Sequence, residues 1–252
     1  MRILQLSDLK IEEKKKDKNN IISLGNHSEV IRVSNGMLAK VYSDSYLNDE
    51  ILSLVTETKI LASERYRGLK HINIPNGIVY DKNKFCAYTM PEEKGVTYTD
   101  HFFSMPQEKI EDINICTELF LKVNTAVEKG NKMGLIFPDL CTTENIIIND
   151  KGYAVILDWD GIQVGTIPSL TFSSCLGNEA QYMTPKYFNQ MLSCFNENID
   201  KKSLAILYFQ TVMGCDLENS MAMNAIKTHS VDKSVKMIFE GLNLEDELLV
   251  KK

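Results

Sequence analysis

The sequence predicts an α+β protein with a β-rich N-terminal part and a mostly helical C-terminal part. Short runs rich in Val, Ile, Tyr and Phe, separated by turn residues, fill residues 21–92. From about Met105 the runs lengthen and apolar residues recur at helical spacing. A hydrophobic share of 44% over 252 residues suffices for one or two packed domains.

Residues 1–20 read as an N-terminal extension. EEKKKDK within them is a mixed-sign run, expected as a solvated turn or tail rather than a binding patch. The strands expected next are IISLG, EVIRVS, MLAKVY, NGIVYD and FCAYTM. Asn35-Gly36 and Asp81-Lys82-Asn83 supply hairpin signals among them. One helix interrupts the strands. In LNDEILSLVTETKILASERYRG the apolar spacing offers Ile51, Leu54, Val55, Thr58, Leu61 and Ala62 as the packed face, with Gly68 as the stop. These elements make residues 21–92 one lobe and 93–252 a second. The second opens on a long helix, EKIEDINICTELFLKVNTAVEKGNKMG, with Ile110, Ile113, Cys116, Leu119, Phe120, Val123 and Val127 in register. Two strands, ENIIIND and YAVILDWD, follow about the turn Asn149-Asp150-Lys151-Gly152. An irregular stretch at 165–185 precedes helical patterns at 185–195, 201–213 and 220–241.

Charge and cysteine usage narrow the function. With a net charge of −6 and no basic cluster beyond Lys14-Lys15-Lys16, a nucleic-acid partner is not expected. Six scattered cysteines without CxxC spacing read as free thiols in a reducing compartment. No apolar segment has signal-peptide or membrane-spanning form, so a cytoplasmic protein without membrane partners is expected.

The chemistry concentrates in LIFPDLCTTENIIINDKGYAVILDWDG, residues 135–161. Acidic residues at the ends of apolar strands are costly unless solvated, paired or holding a metal. Asp139 and Asp158 are the candidates; each could instead cap a turn. Asn145 reads equally as an Asx-turn residue or a ligand. Asp160 reads as a solvated turn residue or an additional metal ligand.

A long helix, then Asp-Leu…Asn, a β-hairpin and Asp-aromatic-x resembles the catalytic core of the protein-kinase family, with FPDLCTTEN and DWD standing where that family carries HRDxxxxN and DFG. MLAKVY resembles the strand bearing the nucleotide-binding lysine, which gives Lys40. TETKIL followed by LKHINI resembles the helix that carries its ion-pair partner, which gives Glu57. SLGNHSEVIRV stands where the glycine-rich phosphate loop belongs, with Gly25 its remaining glycine. Thr184-Pro185-Lys186 stands where Ala-Pro-Glu closes the activation segment. NIDKKSLAILYFQTVMGC resembles the helix whose aspartate, here Asp200, braces the catalytic loop. The ordered matches run from residue 22 to residue 215.

The resemblance implies a two-lobed protein-kinase-like fold with a shortened C-lobe. It also implies an ATP- and Mg²⁺-dependent phosphotransferase acting on a protein Ser or Thr. Asp139 is then the catalytic base, Lys40 holds the α/β-phosphates, Glu57 orients Lys40, and Asn145 and Asp158 bind metal. The sequence departs from the pattern in several places: the glycine loop is reduced, Phe137-Pro138 replace His-Arg, Asp139 and Asn145 are six apart, Asp160 replaces a glycine, and Lys186 replaces a glutamate. The reduced glycine loop, Phe137-Pro138 and Asp160 favour one alternative, a pseudokinase serving as a nucleotide-binding or interaction module. A small-molecule kinase of the same fold is the second alternative.

Overall fold

A computed structural model of the chain describes residues 1–25, 27–106, 109, 113–140, 143–170, 195 and 198–213. The protein is mixed α+β and divides into two compact units. The first comprises Met1–Lys94 and Leu157–Asp160; the second comprises Gly95–Ile156 and Gly161–Lys252. Thr184-Pro185-Lys186, Asn26 of the glycine-loop stretch, Ile110 and the patterns at 185–195 and 220–241 lie outside the described residues, apart from Phe195. Among the described residues no helix is long and apolar enough to cross a membrane.

The first unit is a six-stranded sheet. Its strands are β1 (Arg2–Gln5), β2 (Ile21–Leu24), β3 (Ser28–Ser34), β4 (Met37–Tyr42), β5 (Gly77–Asp81) and β6 (Lys84–Pro91), in the spatial order β1-β5-β6-β4-β3-β2. All neighbours pair antiparallel except β1, which runs parallel to β5. The opening residues therefore are not an extension outside this unit. Arg2–Gln5 pairs residue for residue with Gly77–Tyr80 and forms one edge of the sheet. The alternation in RILQ is too short to mark a strand without its partner.

The turns follow the sequence signals. Between β3 and β4, Gly36 adopts φ +73, a value that L side chains avoid and glycine accepts. Between β5 and β6, Lys82 and Asn83 both have positive φ, as a two-residue type I′ hairpin requires.

Beside three one-turn helices, the 13-residue helix Glu50–Ala62 packs on this unit, with Asp49 capping the backbone N–H groups of Ile51 and Leu52 at 3.1 Å each. Its buried face differs from the expected one. Leu52, Thr56, Lys59 and Ile60 are buried, whereas Ile51, Leu54 and Leu61 are exposed. Two polar residues on the inner face find partners, and that reverses the reading: Thr56 Oγ1 lies 2.7 Å from the Tyr46 hydroxyl, and Lys59 Nζ donates to Asp160 O at 2.7 Å. A satisfied polar group can be buried, so apolar spacing alone chose the wrong stripe.

In the second unit, β9 (Ile146–Asn149) lies between β10 (Ala154–Ile156) and β7 (Gly95–Thr97). At Gly95, φ is +152 and an added Cβ would sit 2.3 Å from Ile148 O, so only glycine fits this pairing. A two-stranded ribbon joins β8 (Leu135–Ile136) to β11 (Gln163–Val164). The helices Ile113–Asn131 and Asn198–Met213 pack together, with Phe120 meeting Tyr208 edge-on at 4.9 Å.

Candidate functional site

β4 places Lys40 and Tyr42 two residues apart, hence on one face of the sheet. Tyr88 stands directly opposite Lys40 across the β4–β6 pair, and so joins that face. The segment Leu157–Asp160 delivers two carboxylates to it. Lys40 Nζ donates to Asp158 Oδ1 and, at 2.9 Å, to Asp160. Asp160 also accepts the Tyr42 hydroxyl at 3.0 Å and the Tyr88 hydroxyl at 3.1 Å.

The backbone explains how both carboxylates converge. Asp158 adopts φ +59, the left-handed region that Asp tolerates better than most residues. A 3-10 turn over Trp159–Gly161 follows. Trp159 is fully buried beside Tyr66, and its indole N–H donates to Lys59 O at 3.0 Å. Lys59 Nζ returns a bond to Asp160 O. The turn and the helix thus hold each other by reciprocal bonds.

Charge in this group is uneven. Burial disfavours the Lys40 ammonium, but Asp158 and Asp160 more than offset it and raise its pKa. Burial also pushes the Asp160 carboxyl up, yet Lys40 pulls it down harder, well below the usual carboxylate range. Asp158 is raised, by burial first and then by the negative charge of Asp160, against the pull of Lys40. Tyr42 and Tyr88 rise well above their ordinary value, through burial and the nearby Asp160, and remain hydroxyl donors.

The second unit holds its own group. Asp139 lies in the turn after β8, and Asn145 ends the short turn Thr143–Asn145 before β9. Asn145 Nδ2 donates to Asp139 Oδ2 at 3.1 Å. Behind this loop, buried Asp200 accepts the backbone N–H of Phe137 at 2.8 Å. With its amide nitrogen turned inward, Asn131 donates to the other Asp200 oxygen and to Leu135 O, each at 2.8 Å.

No family model matches the chain, and no curated protein matches it. The geometry differs from the sequence expectation at Glu57, whose carboxylate accepts the Tyr80 hydroxyl at 2.6 Å, while Lys40 turns to Asp158 and Asp160. The register of the helix explains the change. Thr56, Lys59 and Ile60 occupy the inward positions, which leaves Glu57 on the flank, half-buried against β5. Gly25 is exposed, and its N–H is taken by Ser28 O at 2.9 Å within the β2–β3 turn.

Asp160, Lys59, Tyr42 and Tyr88 are the residues that sequence reasoning missed or left open. A signal was present for Tyr42: the two-residue spacing in Lys40-x-Tyr42 puts the pair on one side of a strand, whereas Asp158 and Asp160 converge through a left-handed residue and a tight turn that spacing does not reveal.

Proposed function

We propose that the chain is an ATP- and Mg²⁺-dependent phosphotransferase of two-lobed, protein-kinase-like fold, with a protein Ser or Thr hydroxyl as acceptor. One observation carries the reading. Asp200, from the Asn198–Met213 helix, bonds the backbone two residues before Asp139, the bracing role that the resemblance implied. A buried carboxylate spent on a loop's backbone fixes that loop, and the fixed loop presents Asp139.

The donor chemistry fits Mg²⁺. In the first unit Asp158 offers hard carboxylate oxygen atoms and keeps 22% of its side chain exposed. Among the described residues no cluster of three or more His, Cys, Asp or Glu could hold a metal alone, so phosphate oxygens would complete the shell. When bound, the ion supplies neutralisation of phosphate charge. The chain's residues do the rest. Lys40 holds phosphate oxygens through ammonium donors, and Asp139 takes the acceptor's proton.

A second reading is a nucleotide-binding module without transfer. The engaged N–H of Gly25 favours it, because that donor is already spent within the turn.

The test is transfer of radiolabelled γ-phosphate with Mg²⁺ present, beside a thermal-shift titration with ATP. Asp139→Asn should lower transfer by about 10²-fold or more and leave ATP affinity nearly unchanged. A shift without transfer selects the second reading, and neither signal rejects both.

A further inference from the structure

Lys40 has two acidic neighbours, and they are not equivalent. Asp160 is locked: its carboxylate takes Lys40 at 2.9 Å, Tyr42 at 3.0 Å and Tyr88 at 3.1 Å. Its carbonyl takes Lys59 Nζ at 2.7 Å, and the preceding Trp159 is fully buried. A carboxylate offers about four lone-pair sites, so Asp160 has little left for a metal ion. Asp158 is held more loosely. Its side chain is 22% exposed against 9% for Asp160, and Lys40 is the donor it takes. Withdrawing Lys40 from Asp160 would strand a buried charge; withdrawing it from Asp158 would expose that carboxylate to solvent and ions.

We propose that Asp160 is the fixed counter-ion that positions Lys40, in place of a helix glutamate, and that Asp158 is its exchangeable counter-ion, given up to a divalent cation when nucleotide phosphates take the ammonium. An ammonium has three donors, so Lys40 can keep Asp160 while it trades Asp158 for phosphate. Lysine orientation is then set by a turn that adjoins Asp158, and is independent of the Glu57 side chain. The inference rests on the nucleotide reading only for the identity of the incoming ligand.

The experiment measures the Mg²⁺ concentration that half-saturates ATP binding, by calorimetry and by thermal shift, with ATP as the probe. In Asp160→Asn, Lys40 has only Asp158 as a charged partner and holds it against the metal. The half-saturating Mg²⁺ should rise roughly tenfold, the size expected when one charged hydrogen bond is redistributed. Glu57→Gln should leave it unchanged. In a Lys40→Met background, Asp160→Asn should add nothing.

An equal loss of ATP affinity with and without Mg²⁺, or the same rise in Glu57→Gln, overturns the proposal. If Asp160→Asn does not fold, Tyr88→Phe takes its place. It keeps every charge and loosens Asp160, so a rise of about threefold supports the proposal and no change overturns it. If the parent binds no ATP, the nucleotide reading falls by itself. The anchoring of Lys40 is then decided by unfolding midpoints of Lys40→Met and Asp160→Asn, singly and together, where strict additivity overturns it.

Discussion

Asp200 is a charged side chain taken almost completely out of water, and its partners make that tolerable. It receives the Phe137 N–H and the Asn131 amide, each at 2.8 Å. Replacing it with alanine would leave both donors unsatisfied at a cost of about 3 kcal/mol. For a chain of this length that corresponds to a fall of roughly 6–12 °C in Tm, read by thermal unfolding. If the proposed phosphotransferase reading holds, loss of transfer should exceed what the unfolded fraction explains, because Asp200 bonds the backbone of the loop that carries Asp139. Cys86 makes a different case. Its buried thiol lies 3.5 Å from Val79 O, and burial, with the Asp81 carboxylate second, pushes it up to about 11. A raised thiol pKa means folding favours the neutral form. The associated stability is present below the ordinary value of 9.0 and is lost as pH rises through about 11. Native protein at pH 8 should therefore label slowly at Cys86 with a disulfide reagent, and quickly once urea is added.

The Glu50–Ala62 helix shows where such logic acts over a whole element. Its two charged residues of interest, Glu57 and Lys59, are two positions apart and face different surroundings. Lys59 is fully buried and donates to Asp160 O, and its positive charge adds to that of Lys40 in holding the Asp160 carboxyl low. Lys59→Met removes that positive charge and should cost about 3 kcal/mol or more in denaturant unfolding. Glu57→Gln, which keeps an acceptor for the Tyr80 hydroxyl, should stay within about 0.5 kcal/mol. Equal effects would mean that the helix is held by its apolar residues alone. The same contrast separates what the sequence revealed from what it hid. β3, β4, β5 and β6 were legible because alternation and turn residues are local signals, and Asp139 and Asp158 stood out for their place beside apolar runs, whereas Lys40 was named only by resemblance and Asn145 read equally as a turn residue. The inward face of the helix was not legible. It depends on Tyr46 and on Asp160, a hundred residues away, supplying partners for Thr56 and Lys59. Likewise β1 becomes a strand only because β5 lies beside it.

Over the whole molecule, the first unit is discontinuous in sequence, since Met1–Lys94 is completed by Leu157–Asp160. That short insertion does much for its size. It brings the fully buried Trp159 against Tyr66, closes the bonds with Lys59, and supplies both counter-ions of Lys40. A fragment of residues 1–94 would keep every strand of the six-stranded sheet and the whole helix, yet Lys40 would lose its counter-ions and Lys59 its bond to Asp160 O. Losing a buried Trp costs about 3–5 kcal/mol, and stranding a buried charge costs a similar amount. Together these losses approach the total stability of an ordinary domain. The 1–94 fragment should therefore be cleaved rapidly by protease and melt without a cooperative transition. A second fragment, in which residues 154–162 are joined to residue 94 through a flexible linker, should recover both protease resistance and a sigmoidal melt. Replacing Asp160 with alanine in the joined fragment should remove most of that recovery. If residues 1–94 alone melt as sharply as the joined fragment, the sheet and helix form an independent domain, and the DWD turn serves function without holding the fold.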